Sequence, residues 1–442
     1  MRFVLSVRSR LIASAIFVFG AERAVAQSLE DVVVAVVRSH PVVESVRAQS
    51  RSAEQRIAEE EGALLPRVDL SSAAGEEFTN NRLTRQLPKD HDTVGLPRYD
   101  NSLTIRQLLL DGGATDSRID SARASSKAAR HRLNDVGQRV ALLAVEVYVE
   151  VLRARASLAR AEANIAAHYD ILAGIERRAR TGVGRGTDVD QARSRVALAE
   201  ATLAQRQGAL EEATARYLET VGALPGGLRR PNDPQRLAPP ALDAVLARAL
   251  GASPAVKAAG ANVVARSADR AATEGALWPR FTFEVSGRAD RNIDGTRGPD
   301  SDLIAQLRMT YNIYAGGADT ARERRAIEDL AAAKFDELEA RRRTRETVRV
   351  AHSGFVAAKA RLNQLRSRAE TTRRLVGAYR QQFELNQRTL LDVLDVQNEA
   401  FSADVAVIDI EYTIIFAHYQ LLAAAGELLS AFNVPILPGE RI

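Results

Sequence analysis

The apolar positions of this chain fall into two periods that alternate along it. From Val147 they step by four and three through Val151, Ala154, Leu158 and Ala161 to Ala179, and the series resumes from Val189 through Ala192 and Val196 to Tyr217, with Arg206 the one charged interruption. The same stepping returns from Val348 through Ala351, Phe355 and Ala358 to Phe383, and from Leu391 through Leu394, Asn398 and Phe401 to Leu422. A seven-residue apolar period sustained this long is the seam of a coiled coil and imposes a left-handed supercoil. The first of these helices, from about Thr115 to Arg178, would be on the order of 95 Å long at 1.5 Å per residue. Period two replaces the seam in four shorter stretches, Arg67 to Phe78, Leu103 to Leu109, Arg280 to Asp290 and Leu303 to Ile313. Alternation of that kind predicts strands with one apolar face. Polar loops rich in Asn, Asp, Pro and Gly, about Thr79 to Arg98 and Asn292 to Pro299, separate the two strands of each pair and face solvent.

The whole pattern is written twice. Pro254 and Pro279 follow Pro41 and Pro66 at a common offset of 213 residues, while Gly316 and Asp392 follow Gly112 and Asp188 at 204. Equal offsets across independent landmarks mean a repeat architecture, with the length change confined to the segment between the strands of each pair. The predicted organisation is a first repeat over 27–224, a Pro/Gly-rich connector over 225–240, a second repeat over 241–432 and a short tail over 433–442. His40-Pro41 and Ser253-Pro254 introduce the shorter helix of each half.

Composition adds the compartment. Residues 1–26 carry Arg2, Arg8 and Arg10, an apolar run from Leu11 to Gly20 and the small residues Ala24-Val25-Ala26, the pattern of a secretory signal peptide cleaved before Gln27. Its removal lowers the formal charge of +5 to about +2, so the basic balance does not point to nucleic acid. Cysteine is absent, which leaves neither a disulfide framework nor a lipid-anchor thiol. Hydrophobic residues make up 46% but aromatic ones only 5%, the balance of Ala-rich long helices rather than of a compact core. Nothing after Gln27 approaches the roughly 20 apolar residues of a membrane helix, yet strands remain a way across. Four strands cannot close a barrel, since membrane barrels need at least eight, so several chains must share one.

These landmarks resemble the TolC family of outer-membrane channel proteins over essentially the whole mature chain. The repeat, the strand-Gly-Gly-helix junctions at Gly112 and Gly316, and the two helix turns carry the resemblance. It implies a mainly α fold with membrane β structure: duplicated coiled-coil helices form a periplasmic tunnel, and four strands per chain contribute to a twelve-stranded barrel in a homotrimer. The segment Phe383-Glu384-Leu385-Asn386-Gln387-Arg388-Thr389-Leu390-Leu391-Asp392-Val393-Leu394-Asp395 matches the family's periplasmic gate hairpin, and Thr181 to Asp188 matches the partner turn. By that resemblance Asp392 and Asp395 face the tunnel axis, while Arg388 bonds Thr187 or Asp188 and holds the hairpin inward. Phe383 stands where the family often has Tyr, so a hydroxyl is missing and the clamp rests more on Arg388.

Physics gives these residues two jobs. Two acids at i and i+3 share a helix face, so threefold symmetry would place six carboxylates around one constriction that favours cations. The plainer job is helix-end chemistry, with Thr187 as an N-cap and Asp188, Asp392 and Asp395 complementing helix dipoles. Elsewhere, Gly182-Val183-Gly184-Arg185-Gly186 follows no strand and lacks the Lys of a phosphate loop. The six histidines, His40, His91, His131, His168, His352 and His418, show no metal spacing. No catalytic constellation, cofactor or metal is expected.

The resulting expectation is a passive exit duct in the outer membrane of a Gram-negative bacterium, in contact with outer-membrane lipid. The segment Leu390 to Leu429 looks most like the type I protein-secretion branch of the family. That branch implies a periplasmic adaptor and an inner-membrane ABC transporter as partners, and a repeat-rich protein toxin as the exported substrate. The alternatives are the outer-membrane part of a multidrug or metal efflux pump and, from another class, a periplasmic adaptor. An adaptor would carry a compact lipoyl-like domain instead of two matched strand pairs.

Overall fold

The computed structural model describes residues 27–86, 93–231 and 240–435. The expected leader, half of the connector and the end of the tail lie outside the described residues. The elements run α1 (Leu29–Ser39), α2 (Pro41–Glu61), β1 (Arg67–Thr79), β2 (Val94–Leu110), α3 (Ala114–Arg180) and α4 (Gly186–Val221). Then come α5 (Leu242–Ala252), α6 (Pro254–Gly275), β3 (Arg280–Arg291), β4 (Pro299–Thr310), α7 (Ala318–Glu384), α8 (Leu390–Ala425) and a short α9 (Leu428–Ala431). Helices α1 and α5 have 11 residues each, α3 and α7 have 67, and α4 and α8 have 36. The two halves therefore correspond element by element, and the correspondence begins one helix before Pro41 and Pro254. At 1.5 Å per residue α3 and α7 are each about 100 Å long.

Local chemistry sets the corners. Ser28 and Asp31 form a reciprocal capping box that starts α1, with Ser28 Oγ accepting from Asp31 N at 3.1 Å. The residue before a proline is pushed to extended backbone, and Pro fits the first helical turn. His40 (ψ 128°) and Ser253 (ψ 119°) accordingly end α1 and α5 while Pro41 and Pro254 open α2 and α6. The change from strand to long helix happens at Gly112-Gly113 and Gly316-Gly317, all four in the left-handed region. Gly112 is further constrained, because a Cβ there would lie 2.5 Å from Gly275 O and 2.6 Å from Trp278 Cβ.

The strands form one antiparallel sheet in the order β1-β2-β3-β4, which leaves β1 and β4 as open edges. Strand β2 begins at Val94, inside the segment expected to be loop. Gly95 and Pro97 read as turn signals, but the ladder from β2 to β3 starts only at Tyr99 opposite Arg291, so near Pro97 that side of β2 has no partner strand to lose. The Pro97 carbonyl accepts instead from Asn292 Nδ2 at 2.7 Å.

Most seam positions are where the helices bury themselves, although at the start of α8 Leu391 and Asn398 are exposed and Leu390 and Val393 are buried instead. Val147, Val151, Ala154 and Ala161 are buried on α3, and Val348, Ala351, Phe355, Ala358 and Leu362 on α7. The largest core gathers midway along the helices, where Val33, Val36 and Val37 of α1 meet Leu133 to Leu152 of α3, Tyr217 of α4 and Tyr412 and Ile415 of α8. Tyr148 Oη donates to the carbonyls of Gln27 (2.9 Å) and Arg229 (2.6 Å), and Tyr217 Oη donates to Gln27 Oε1 (3.1 Å). These bonds tie the first described residue into the middle of the molecule, and burial raises the Tyr217 hydroxyl pKa to about 12.

Candidate functional site

Two places in the fold concentrate exposed apolar side chains and paired charges: the sheet at one end and the helix-hairpin turns at the other. In the sheet, register sorts every strand residue to a face. One face presents Val68 and Leu70 of β1, Tyr99, Leu103, Ile105 and Leu109 of β2, Phe283 of β3, and Leu303, Leu307 and Met309 of β4, all exposed. An apolar face of this extent is intolerable in water and suits hydrocarbon. Tyr99 and Leu109 are ten residues apart on β2, which is about 33 Å along the strand and about 25 Å of membrane normal at a typical barrel tilt. Aromatic side chains border the band, with Phe78 and Tyr99 at the loop end and Trp278, Tyr311 and Tyr314 at the helix end.

The opposite face is a lattice of charge. Arg106 lies 3.2 Å from Asp69 and 3.6 Å from Glu284, and Arg308 pairs Glu284 from the other side at 3.0 Å. Nearer the loops Arg98 pairs Glu77 at 2.8 Å and Asp100 at 2.9 Å, while Arg288 pairs Asp290 at 3.2 Å and Asp302 at 2.5 Å. Each pair crosses to a neighbouring strand or follows its own, so the charged face is cross-linked electrostatically along the full width of the sheet.

At the far end, the two hairpin turns pack on each other across the repeat. Ile175 of α3 and Ala192 of α4 are buried against Leu390 and Leu394 of α8, with Phe383 of α7 alongside. Around this apolar patch, Arg178 donates to Asn386 Oδ1 at 2.6 Å and its guanidinium lies 4.8 Å from the Phe383 ring centre. Arg195 of α4 donates to Asp395 Oδ1 of α8 at 2.5 Å. Asn386 adopts a left-handed backbone (φ 58°), a conformation Asn tolerates, and so closes the second turn while aiming its amide at the first.

The sequence-derived residues take distinct positions here. Thr187 and Asp188 lie in the first turn of α4, and Arg185 rather than Thr187 is its N-cap. Asp392 accepts from Thr389 N (3.1 Å) and Thr389 Oγ1 (2.8 Å), while Thr389 Oγ1 accepts from Asp392 N (3.2 Å). This is a complete capping box, and the Thr389 hydroxyl and amide hold the Asp392 carboxyl below the usual carboxylate range. The bond expected from Arg388 to Thr187 or Asp188 does not form within the chain. The tight turn folds Arg388 back on its own hairpin, where it donates to Gln382 Oε1 at 3.1 Å, covers the Tyr379 ring at 4.2 Å and sits 4.0 Å from Asp392.

The cross-repeat contacts belong instead to Arg178, Arg195 and Asn386, which the sequence reading passed over. Arg178 looks like an ordinary cation at a helix C-terminus, and nothing in one dimension pairs Arg195 with Asp395. Above the turns, His168 is buried in the seam, and burial followed by the nearby charges of Arg195 and Arg380 lowers its pKa. No helix among the described residues is long and apolar enough to cross a membrane, nor do they contain a cluster of side chains suited to a metal.

Against known proteins, a family model described as outer membrane efflux protein matches residues 33–223 and 245–427. The outer membrane efflux protein BepC of Brucella suis is 28% identical over 444 residues, covering 97% of this chain and 92% of that protein. The outer membrane protein TolC of Vibrio cholerae is 24% identical, with 91% of each chain covered. Among solved structures, the outer membrane protein VceC of Vibrio cholerae superposes with a TM-score of 0.77 at 15% identity, covering 90% of this chain and 96% of that one.

Proposed function

We propose, given that this chain belongs to the outer membrane efflux protein family, that it is a homotrimeric exit duct with its sheet in the outer membrane of a Gram-negative bacterium and its helices in the periplasm. The observation that carries this reading is the sheet with one apolar face, one charged face and two open edges. Neither water nor lipid satisfies an open edge beside an apolar face, whereas copies of the same chain do, edge β4 of one against edge β1 of the next. Three such sheets close a barrel whose charged lattice lines the water path and whose apolar band meets lipid.

The helices then form the periplasmic tunnel, and the paired hairpin turns narrow its end. In this reading Arg178, Arg195 and Asn386 hold the two turns of a subunit together and Phe383 is the platform for Arg178. Arg388 braces its own hairpin, Asp392 starts α8, and Thr187 with Asp188 begins the neighbouring helix. Asp395, half exposed beside Arg195, is the carboxylate left to bias passing ions toward cations.

A duct has no energy source, so the substrate is delivered by an inner-membrane transporter through a periplasmic adaptor. The name of the Brucella relative, an outer membrane efflux protein, supports the efflux reading. The opening of α8, Leu390 to Glu399, supports the second reading, type I export of a protein by an ABC transporter. Deleting the gene and comparing culture medium and drug sensitivity separates the two. New sensitivity with unchanged medium supports efflux, and loss of one large secreted protein supports type I export. A purified protein that stays monomeric and does not insert into planar bilayers would sink the duct itself.

A further inference from the structure

Apart from Arg280, exposed and without an ion pair among the described residues at the helix end of β3, the arginines of the sheet and its loops fall into two sets. On the charged face Arg67, Arg98, Arg106, Arg288 and Arg308 are each ion-paired. At the loop end four others, Arg82, Arg85, Arg291 and Arg297, are exposed and make no ion pair among the described residues. Arg291 is the informative one. Its register partner is Tyr99, and alternation from Phe283 places it on the apolar face, in the row that closes the band at the loop end. A cation has no counter-charge in hydrocarbon, so a place at this margin is tolerable where anionic headgroups begin.

The other three arginines are brought beside that margin by the way the loops are knotted. Asn81 Oδ1 accepts from Leu83 N and Thr84 N, each at 2.9 Å, which fixes the turn bearing Arg82 and Arg85. Asn81 Nδ2 then donates to Asp294 O at 2.8 Å, joining this loop to the one that carries Arg297. Asn292 donates to Pro97 O at 2.7 Å and accepts from Gly298 N at 3.0 Å, which anchors the second loop over the end of β2. A Cβ on Gly295 would lie 2.5 Å from Thr84 Cγ2, so the two loops are in direct contact. The described carboxylates nearby that no side chain pairs are Glu76, on the apolar side of β1, Asp294 in the second loop, and Asp300, which register places on the charged face. Outside the charged face, the described residues therefore set four cations against two anions on a held surface that continues the lipid-facing band.

We propose that this basic rim binds the phosphates of outer-leaflet glycolipid headgroups, with Arg291 beneath them at the acyl boundary and Arg82, Arg85 and Arg297 around them. The inference rests on the sheet lying in the outer membrane as read above. Charge complementarity and continuity with the apolar band single out a membrane-embedded phosphorylated lipid over a free ion or a soluble partner.

Native mass spectrometry of the detergent-purified trimer tests it, titrated with bisphosphorylated lipid A, with fully dephosphorylated lipid A and with inorganic phosphate. Loss of four cations from an anionic surface is worth roughly tenfold or more in affinity. The wild type should retain the phosphorylated lipid at least about tenfold more tightly than the dephosphorylated one, and the R82Q/R85Q/R291Q/R297Q variant should lose that preference. The single variant Arg291→Glu leaves the loop knot untouched and should lose most of the preference even if the quadruple variant assembles poorly.

Equal retention of both lipids by the wild type, or an unchanged preference in Arg291→Glu, overturns the proposal. Binding of inorganic phosphate as tight as that of the lipid overturns the choice of a lipid. Insertion into phosphatidylethanolamine bilayers is measured in parallel. A wild type that inserts and conducts without lipid preference fails this inference alone, whereas one that never inserts fails the outer-membrane reading beneath it.

Discussion

Cutting the polar contacts that join the two hairpin turns should open the periplasmic end of the channel. The perturbation is Arg178→Ser combined with Arg195→Ser. Arg178 contributes an exposed hydrogen bond to Asn386 at 2.6 Å and a cation–π contact with Phe383 at 4.8 Å, together about 1 to 1.5 kcal/mol. The Arg195–Asp395 pair at 2.5 Å is discounted, because the Asp395 side chain is 53% exposed, and counts for about 0.5 kcal/mol. The apolar patch of Ile175, Ala192, Leu390 and Leu394 is untouched, so each subunit should lose roughly 2 kcal/mol of closure without losing its fold. If three subunits move together the shift approaches the roughly 5.5 kcal/mol that takes a 1:99 equilibrium to 99:1.

Single-channel recording in planar bilayers reads this directly. The double variant should show frequent high-conductance openings, and either single variant a smaller increase. Adding Asp395→Ser to Arg195→Ser should change opening little, since its partner is already gone, but should weaken cation preference. Conductance and opening frequency equal to wild type in the double variant would refute the reasoning, and closure would then rest on the apolar patch alone.

Three other outcomes follow from the same geometry. Gly112→Ala should reduce trimer yield and melting temperature far more than Gly316→Ala, because both have a positive φ but only Gly112 has backbone within 2.5 Å of the new Cβ; thermal melting of the two variants compares them. Tyr148→Phe removes the donor to two carbonyls at the molecule's middle and should cost about 1 to 3 kcal/mol in denaturant unfolding. Glu411 is pushed up by burial but pulled further down by hydrogen bonds and charge from Arg366 and Arg230, leaving its pKa below the ordinary 4.5. A lowered folded pKa gives stability that is present above the unfolded value and lost as pH falls through the folded one. Melting of Glu411→Gln should therefore decline less than wild type on acidification below about pH 5, and parallel melting curves would rule this out.

Periodicity along the chain determined most of the architecture. A heptad seam has one way to bury itself, so Val147, Val151, Ala154 and their counterparts from Val348 onward end up inside. Strand alternation and the Gly-Gly stops likewise placed the sheet and its apolar face, since period two and positive φ are local properties. The duplication told that the halves correspond, although α1 and α5, lacking a landmark proline of their own, went unseen as its first members.

What only the tertiary structure decided is which side chains meet between elements. Asp392 was legible as helix-start chemistry, but the cap read alongside it was Thr187, whereas the capping box forms with Thr389, three residues before Asp392. Arg195 and Asp395 are 200 residues apart and meet because two coiled-coil hairpins pack in one register. Arg388 has the chemistry of a clamp, but a turn closed by a left-handed Asn386 directs it to Tyr379 and Gln382. The four rim arginines are likewise scattered in sequence, and they become one rim because register sets Arg291 opposite Tyr99 and Asn81 joins the two loops by reaching Asp294. Local patterns are fixed by backbone sterics and side-chain period, whereas pairings across long sequence separations depend on how the formed elements dock.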